Sequence, residues 1–275
     1  MPADSTNSNV PDYLSLLRLD GRGFVVLGAG QGIGAQTVHA LAQAGARVLC
    51  VDQDERLARD IADQAGGIPC AADAASRPDM ERVFGKARHE FGRAHGIVDI
   101  IGVAGIKPLA AVDDASWARQ FDIVLRHAYL AIQIGGEVMK ADGGGTMAFV
   151  GSLAGDRAVP NEVAYASSKA ALHHLVRCAA AEYAQDNVRI NAVAPGFVRT
   201  PRLNQRLDAA TWAAIGEAIP IGRAATPAEI AGHLLFLVSD LSAHMTGEIV
   251  AVDGGTHVLA AIPHVSFAPS ATPTP

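Results

Sequence analysis

The chain alternates short, almost wholly apolar runs with longer stretches in which apolar residues recur every three or four positions. Phe24-Val25-Val26-Leu27 is followed by helical spacing over about 32–44 and then by Arg47-Val48-Leu49-Cys50-Val51, which predicts a β-α-β unit. The alternation goes on with strands at 67–71, 96–101, 146–150, 188–193 and 248–252. Between them lie helical patterns at 78–91, 114–140, 163–185 and 227–239. Seven apolar strands separated by helices predict an α/β fold: a Rossmann-like, doubly wound, seven-stranded parallel sheet with helices on both faces, in a single domain. The Gln185-Asp186-Asn187 turn, which joins a long helix to a strand within three residues, fits such tight winding. The predicted organisation is a flexible segment over 1–15, one folded domain over 16–258 with a lid-like stretch at about 201–222, and a tail over 259–275 rich in Pro, Ser and Thr.

Composition narrows the class of function. The 275 residues carry 22 Lys+Arg against 28 Asp+Glu, a net charge of −6, with no basic run. Nucleic acid and anionic membrane surfaces are therefore disfavoured as partners, because both need clustered positive charge. No apolar stretch is long enough to span a bilayer, and the polar, acidic start is unlike a signal peptide, so a cytoplasmic location is expected. Cys50, Cys70 and Cys178 show no ligand spacing and are expected to be ordinary buried thiols. Among ten histidines, the adjacent His173 and His174 point to different helix faces, so a structural or surface role is expected and no metal is implied.

Two constellations carry chemistry. The first is Gly28-Ala29-Gly30-Gln31-Gly32-Ile33-Gly34, directly after the first strand and running into the first helix. A turn of this kind lets backbone N–H groups approach a pyrophosphate at a helix N-terminus, where the macrodipole favours negative charge. Asp52 ends the second strand, 18 residues beyond Gly34, and can accept hydrogen bonds from a ribose diol. Its carboxylate would repel a 2′-phosphate, and Gln31 is neutral where a phosphate-binding cation would stand. NAD is thus expected over NADP. Arg56 and Arg59, at helical spacing just downstream, read as a solvated face.

The second constellation is Ser152 at the end of the fifth strand, then Tyr165 and, one helical turn later, Lys169. A free tyrosine has a pKa of about 10. An ammonium on the same helix face stabilises the phenolate, so Lys169 is expected to lower the Tyr165 pKa and fit it for proton exchange with an alcohol or carbonyl oxygen. Ser152 would hydrogen-bond and orient that oxygen.

From Leu19 to Gly255 the chain resembles the short-chain dehydrogenase/reductase family. The glycine turn is similar to its TGxxxGIG with Leu27 for the threonine; Ser152 and Tyr165-Ala166-Ser167-Ser168-Lys169 look like the catalytic Ser and YxxxK; Asn191 to Thr200 resembles INAVAPGxVxT; and Thr246-Gly247 with Val252-Asp253-Gly254-Gly255 looks like the closing TG…VDGG. The resemblance implies that Asp73 and its neighbour Ala74 lie at adenine, that Pro195, Gly196 and Val198 line the nicotinamide, and that Thr200 holds its carboxamide. Two departures stand out. The family's NNAG is replaced by Asp99-Ile100-Ile101-Gly102, or in another register by Gly102-Val103-Ala104-Gly105; the first needs no gap before Trp117. A carboxylate at that place needs N–H partners to stay ionised. The family's catalytic helix Asn falls at Val124, which cannot hold a proton-relaying water with its side chain.

The expected activity is NAD-dependent hydride transfer between a hydrophobic secondary alcohol, alicyclic or steroid-like, and its ketone, in a homo-oligomer of two or four copies. A 3-oxoacyl-thioester reductase is the alternative, with Arg199, Arg202, Arg206 and Arg223 as a basic entrance. A nicotinamide-binding sensor without turnover is another. Trp212, Ile215 and Ile219 are expected either to form an apolar lid over substrate or to pack against the subunit.

Overall fold

The computed structural model describes residues 10–259, so the first part of segment 1–15 and the tail beyond Leu259 lie outside the described residues. Seven parallel strands, β1 (Gly23–Leu27), β2 (Arg47–Asp52), β3 (Ile68–Ala71), β4 (Gly96–Asp99), β5 (Gly145–Val150), β6 (Val188–Pro195) and β7 (Ile249–Val252), form one sheet in the order 3-2-1-4-5-6-7. All five residues of β1 are buried, as a central parallel strand covered on both faces requires. The chain winds outward from β1 to β3 and then crosses to β4 on the other side of β1. The crevice above the carboxyl ends of β1 and β4 is therefore the topological switch point, where such sheets bind ligands.

Side chains alternate between two cores. One face buries Val25, Leu27, Leu49 and Phe149 under α3 (Arg77–Phe91), α5 (His127–Ala141) and α6 (Val163–Tyr183). The other buries Phe24, Val26, Val48 and Ala148 under α1 (Ile33–Gln43), α2 (Glu55–Ala65) and α9 (Pro227–Val238). Local chemistry fixes the helix ends. Asp54 accepts from the N–H groups of Arg56 and Leu57 to start α2, which stops at Gly66 in the left-handed region. Thr226 and Glu229 form a capping box at α9. Asn187, at φ 59°, makes the left-handed turn that returns the chain from α6 to β6.

Two expectations need correcting, and one left open is narrowed. The helical pattern over 114–140 is not one regular helix: α4 (Asp114–Phe121) passes through a π-helical turn, Asp122–Arg126, before α5, because one inserted residue keeps both Val124 and His127 facing inward. Cys178 is exposed, unlike Cys50 and Cys70, since it lies on the outer side of α6. The lid contains α7 (Pro201–Asn204) and α8 (Ala209–Ala218), and its apolar residues bury one another: Trp212 and Ile219 form a small core with Ala224, packed by Leu203, Leu207 and Ile215. Arg56 and Arg59 pair with Asp60 and Glu55 on the open face of α2. Among the described residues no helix is long and apolar enough to cross a membrane.

Candidate active site

The glycine turn leaves β1 at the switch point. Gly28 and Ala29 donate their N–H groups to Val51 O at 2.9 and 3.0 Å, tying the turn to the end of β2. A Cβ on Gly34 would stand 2.0 Å from Gly28 O, so helix and turn close together only with glycine there. Gly32 caps α1 at φ 58°, a conformation suited to glycine, and offers no side chain to the first N–H groups of α1. Gly34 and Ala35 N turn back to Gln31 O and Gln36 N to Gly32 O, which leaves the N–H groups of Gln31, Gly32 and Ile33, at the positive end of an eleven-residue helix, without an acceptor among the described residues and open to an anion. Gln31 is exposed, while its carbonyl accepts from Gly34 N at 3.1 Å, and Ile33 opens the helix.

Asp52 stands at the rim of this turn. One carboxylate oxygen accepts from Gly30 N at 3.0 Å and the other from Asp54 N at 3.1 Å, which fixes its direction. Asp73 follows β3, exposed, with its carboxylate accepting from Ala75 N at 2.9 Å and Ala74 buried beside it. From the far side, β6 ends at Pro195, with Gly196 and Val198 following it, and Thr200 with Pro201 comes within 3.4–3.7 Å of where a Gly32 Cβ would be. The Thr200 hydroxyl also accepts from Leu203 N, capping α7. A gap of about 330 Å³ between turn and lid is lined by Gly32, Gln36, Arg199 and Pro201 among others. These groups fit a dinucleotide: a glycine-rich cradle, the unoccupied N–H groups of Gln31, Gly32 and Ile33, and a directed carboxylate.

Ser152, Tyr165 and Lys169 converge beside that cradle. Ser152 follows β5; its hydroxyl accepts from Ala154 N at 3.2 Å, and its effect on the Tyr165 phenol is to lower the pKa. Lys169 is fully buried; Nζ donates to Val150 O at 2.7 Å and lies 5.8 Å from the centroid of the Tyr165 ring. Burial lowers the Lys169 pKa to about 8, against an opposing pull from the charge of Asp99. Tyr165 departs from expectation. Desolvation pushes its pKa up to about 12, outweighing the lowering effect of Ser152, and Glu162 one turn earlier adds to the rise. The helix spacing of Tyr165 and Lys169 is as expected, but Lys169 is turned to a carbonyl below the ring and not to the phenol oxygen.

Two histidines absent from the expected site support it from below. His173, one turn after Lys169 and 1% exposed, receives the Ser152 N–H at Nε2 (3.4 Å) and faces Asp156 Oδ1 through Nδ1 (3.2 Å). Its signal in the sequence is the four-residue step from Lys169, which puts both on one buried face. His127 faces Asp99 at 2.6 Å. Asp99 itself ends β4 opposite Leu27 and accepts from Ile101 N at 3.0 Å, so it has the donors that a carboxylate there needs.

Comparison with known proteins agrees with this picture. The family model described as enoyl-(acyl carrier protein) reductase matches residues 28–257. The chain is 34% identical over 252 residues to galactitol 2-dehydrogenase (L-tagatose-forming) of Cereibacter sphaeroides, covering 89% of this chain and 98% of that protein. It is 37% identical over 238 residues to cis-4-hydroxycyclohexanecarboxylate dehydrogenase of Sinomonas cyclohexanicum, covering 84% and 94%. The solved structure of a 7α-hydroxysteroid dehydrogenase complexed with NADH and 7-oxo glycochenodeoxycholic acid superposes with a TM-score of 0.84 at 31% identity, covering 88% of this chain and 96% of that one. A parallel sheet with its crevice at the glycine turn, a Ser-Tyr-Lys group beside it and relatives of this kind place the chain in the short-chain dehydrogenase/reductase family of oxidoreductases.

Proposed function

We propose that the protein is an NAD-dependent oxidoreductase that interconverts an uncharged, largely hydrophobic secondary alcohol and its ketone. The observation that carries this reading is the convergence of Ser152, Tyr165 and a fully buried Lys169, whose Nζ lies 5.8 Å from the centroid of the Tyr165 ring, at the edge of a cradle suited to a dinucleotide. When bound, a nicotinamide supplies the hydride acceptor or donor. The chain's own residues handle the oxygen and its proton. Ser152 holds the substrate oxygen in place, and Tyr165 exchanges a proton with it. Because burial keeps the phenol protonated up to about 12, the resting site is set as a proton donor to a ketone. Alcohol oxidation then speeds up as the pH rises. Lys169 places positive charge under the phenol ring, which favours the phenolate whenever the proton leaves.

Asp52 supports NAD over NADP: its carboxylate is aimed at the turn by two backbone donors and would meet a 2′-phosphate with like charge. Glu162, half-buried one turn before Tyr165, supports an uncharged substrate by the same argument. The thioester reading keeps one observation in its favour, the matched family's description. Its basic entrance is weakened, however, since Arg223 is paired with Glu229 and Arg199 lies over the Trp212 ring at 4.8 Å. Assembly into a homo-oligomer is supported by the partly exposed Trp117, Ile123 and Tyr129 along the α4–α5 stretch.

The test is absorbance of reduced nicotinamide with NAD or NADP and a panel of alicyclic, steroidal, polyol and thioester-linked substrates, beside Tyr165→Phe. Turnover of neutral carbinols with NAD, lost by about 10²-fold or more in the variant, is the expected result. A salt-sensitive preference for thioesters, or turnover of polyols alone, would sink the substrate assignment.

A further inference from the structure

Lys169 is an ammonium in an apolar interior, and such a charge needs a partner. Val150 O occupies one of its three donors. The loop after β4 lies directly against Nζ, since a Cβ on Gly102 would stand 2.8 Å from it. Three residues before Gly102 is Asp99, 1% exposed, whose charge acts on Lys169. Its Oδ1 accepts from Ile101 N at 3.0 Å and its Oδ2 meets His127 Nδ1 at 2.6 Å, with His127 2% exposed.

The histidine's other nitrogen bears on the direction of this contact. Nε2 of His127 is buried without a hydrogen-bond partner. A proton there would be a buried, unpaired donor, so the ring's proton sits on Nδ1 and is given to Asp99. Asp99 thus has two donors, Ile101 N and His127 Nδ1, to hold a carboxylate in this interior. His127 reaches Asp99 because the π-helical turn at Asp122–Arg126 ends immediately before it, and that turn contains Val124, where the family's asparagine is missing. We propose that Asp99 and His127 are positioning residues of the active site, a buried pair that keeps Lys169 charged and stands in for the absent asparagine.

The other titratable groups around Lys169 do not duplicate this role. Tyr165 and His173 share its helix; His173 is held neutral by burial and is committed to Ser152 N and to Asp156 from the β5–α6 connection. Glu162 acts on Tyr165, at the mouth of the site. Among the groups near Nζ, Asp99 is the anion that raises the Lys169 pKa.

This inference bears on turnover only through the dehydrogenase reading above, but it can be tested without a substrate. The chain has four lysines, Lys86, Lys107, Lys140 and Lys169. Lysine labelled with ¹³C at Cε gives four resolvable signals, and Lys169→Met identifies the one of interest. In the full-length wild type this signal should titrate near 8, and in Asp99→Asn it should move down by about one unit or more, the effect of removing the opposite charge that acts on it. His127→Asn, whose amide can still donate to Asp99, should leave it within about 0.3 unit, whereas His127→Phe should lower it as Asp99→Asn does. The acid limb of alcohol oxidation should shift upward in the two charge-disrupting variants and stay put in His127→Asn.

An unchanged lysine titration in Asp99→Asn overturns the proposal, as does equal behaviour of His127→Asn and His127→Phe should Asp99→Asn fail to fold. A merely structural pair would lower the melting temperature without moving either titration. If the wild type oxidises no carbinol while Lys169 responds as described, the dehydrogenase reading falls and the charge pairing stands; the reverse pattern rejects the pairing alone.

Discussion

The glycine turn and the floor beneath Lys169 lie on the same crevice but are built from different materials. The turn is made of backbone: N–H groups, the left-handed Gly28 and Gly32, and glycines at Gly30 and Gly34 where a Cβ would collide. The floor is made of side chains brought together from β4, α5 and α6, with Asp99 and His127 28 residues apart in sequence. A backbone cradle allows few substitutions, because any Cβ at a closed contact collides with the main chain. A side-chain floor can exchange its members so long as charge and hydrogen bonds balance. The loss of the asparagine at Val124 beside the gain of the Asp99–His127 pair is what such an exchange looks like.

The largest effect should come from breaking the backbone cradle. In Gly34→Ala the added Cβ would meet Gly28 O at 2.0 Å, and the oxygen belongs to the main chain of the turn. Helix α1 and the turn must separate, which removes the free N–H donors from the crevice. Dinucleotide affinity, followed by fluorescence or calorimetry, should fall by roughly 100-fold, the equivalent of about 3 kcal/mol. Retained affinity would mean that the turn is not the cradle.

The floor should reveal itself through pH instead. Burial lowers the Lys169 pKa from 10.5 to about 8. Between those values the unfolded chain binds a proton that the native chain has released, so this group makes stability rise as the pH increases from about 8 towards 10. Comparing urea midpoints of the wild type with Lys169→Met cancels the other titrations. The difference between them should change by about 2 kcal/mol in favour of the wild type over that window. A constant difference would place Lys169 in a more solvated setting than its complete burial implies.

The same contrast explains what was legible in the sequence. Strand order, the two cores and the glycine turn follow from periodicity and from residue types whose conformational demands are local, so they could be read from neighbours in the chain. Asp52, Ser152, Tyr165 and Lys169 were recognisable because each occupies a fixed place relative to a strand end or a helical turn. The π-helical turn was not, since Asp122 to Arg126 has an ordinary helical composition and only packing shows the extra residue. The rise of the Tyr165 pKa was also hidden: spacing reports how near Lys169 is, but not that its Nζ is drawn to Val150 O or how far the phenol is desolvated. His127 gave no sign at all, because its partner comes from another strand.

His173 tests the floor at its weakest contact. It is held neutral because burial lowers its pKa, an effect larger than the opposing pull of Asp156. With Nδ1 towards Asp156, Nε2 is left to accept the Ser152 N–H at 3.4 Å, a long hydrogen bond at the low end of the usual strength. His173→Asn can keep a polar group near the Nδ1 position and facing Asp156, but it removes Nε2. Ser152 then loses one of its anchors while retaining the Ala154 N–H on its hydroxyl, so turnover should drop by about threefold, or ~0.6 kcal/mol. The pH dependence distinguishes this from a general loosening. Below 6.5 the unfolded wild type takes up a proton that the buried ring resists, so this residue makes stability fall as the pH drops below that value. As the ring finally protonates, Nε2 can no longer accept from Ser152, and turnover should decline with it. In His173→Asn both acid-side slopes should flatten; a variant that is slower yet keeps the wild-type slopes would show that Ser152 is positioned by its own loop and not by the histidine behind it.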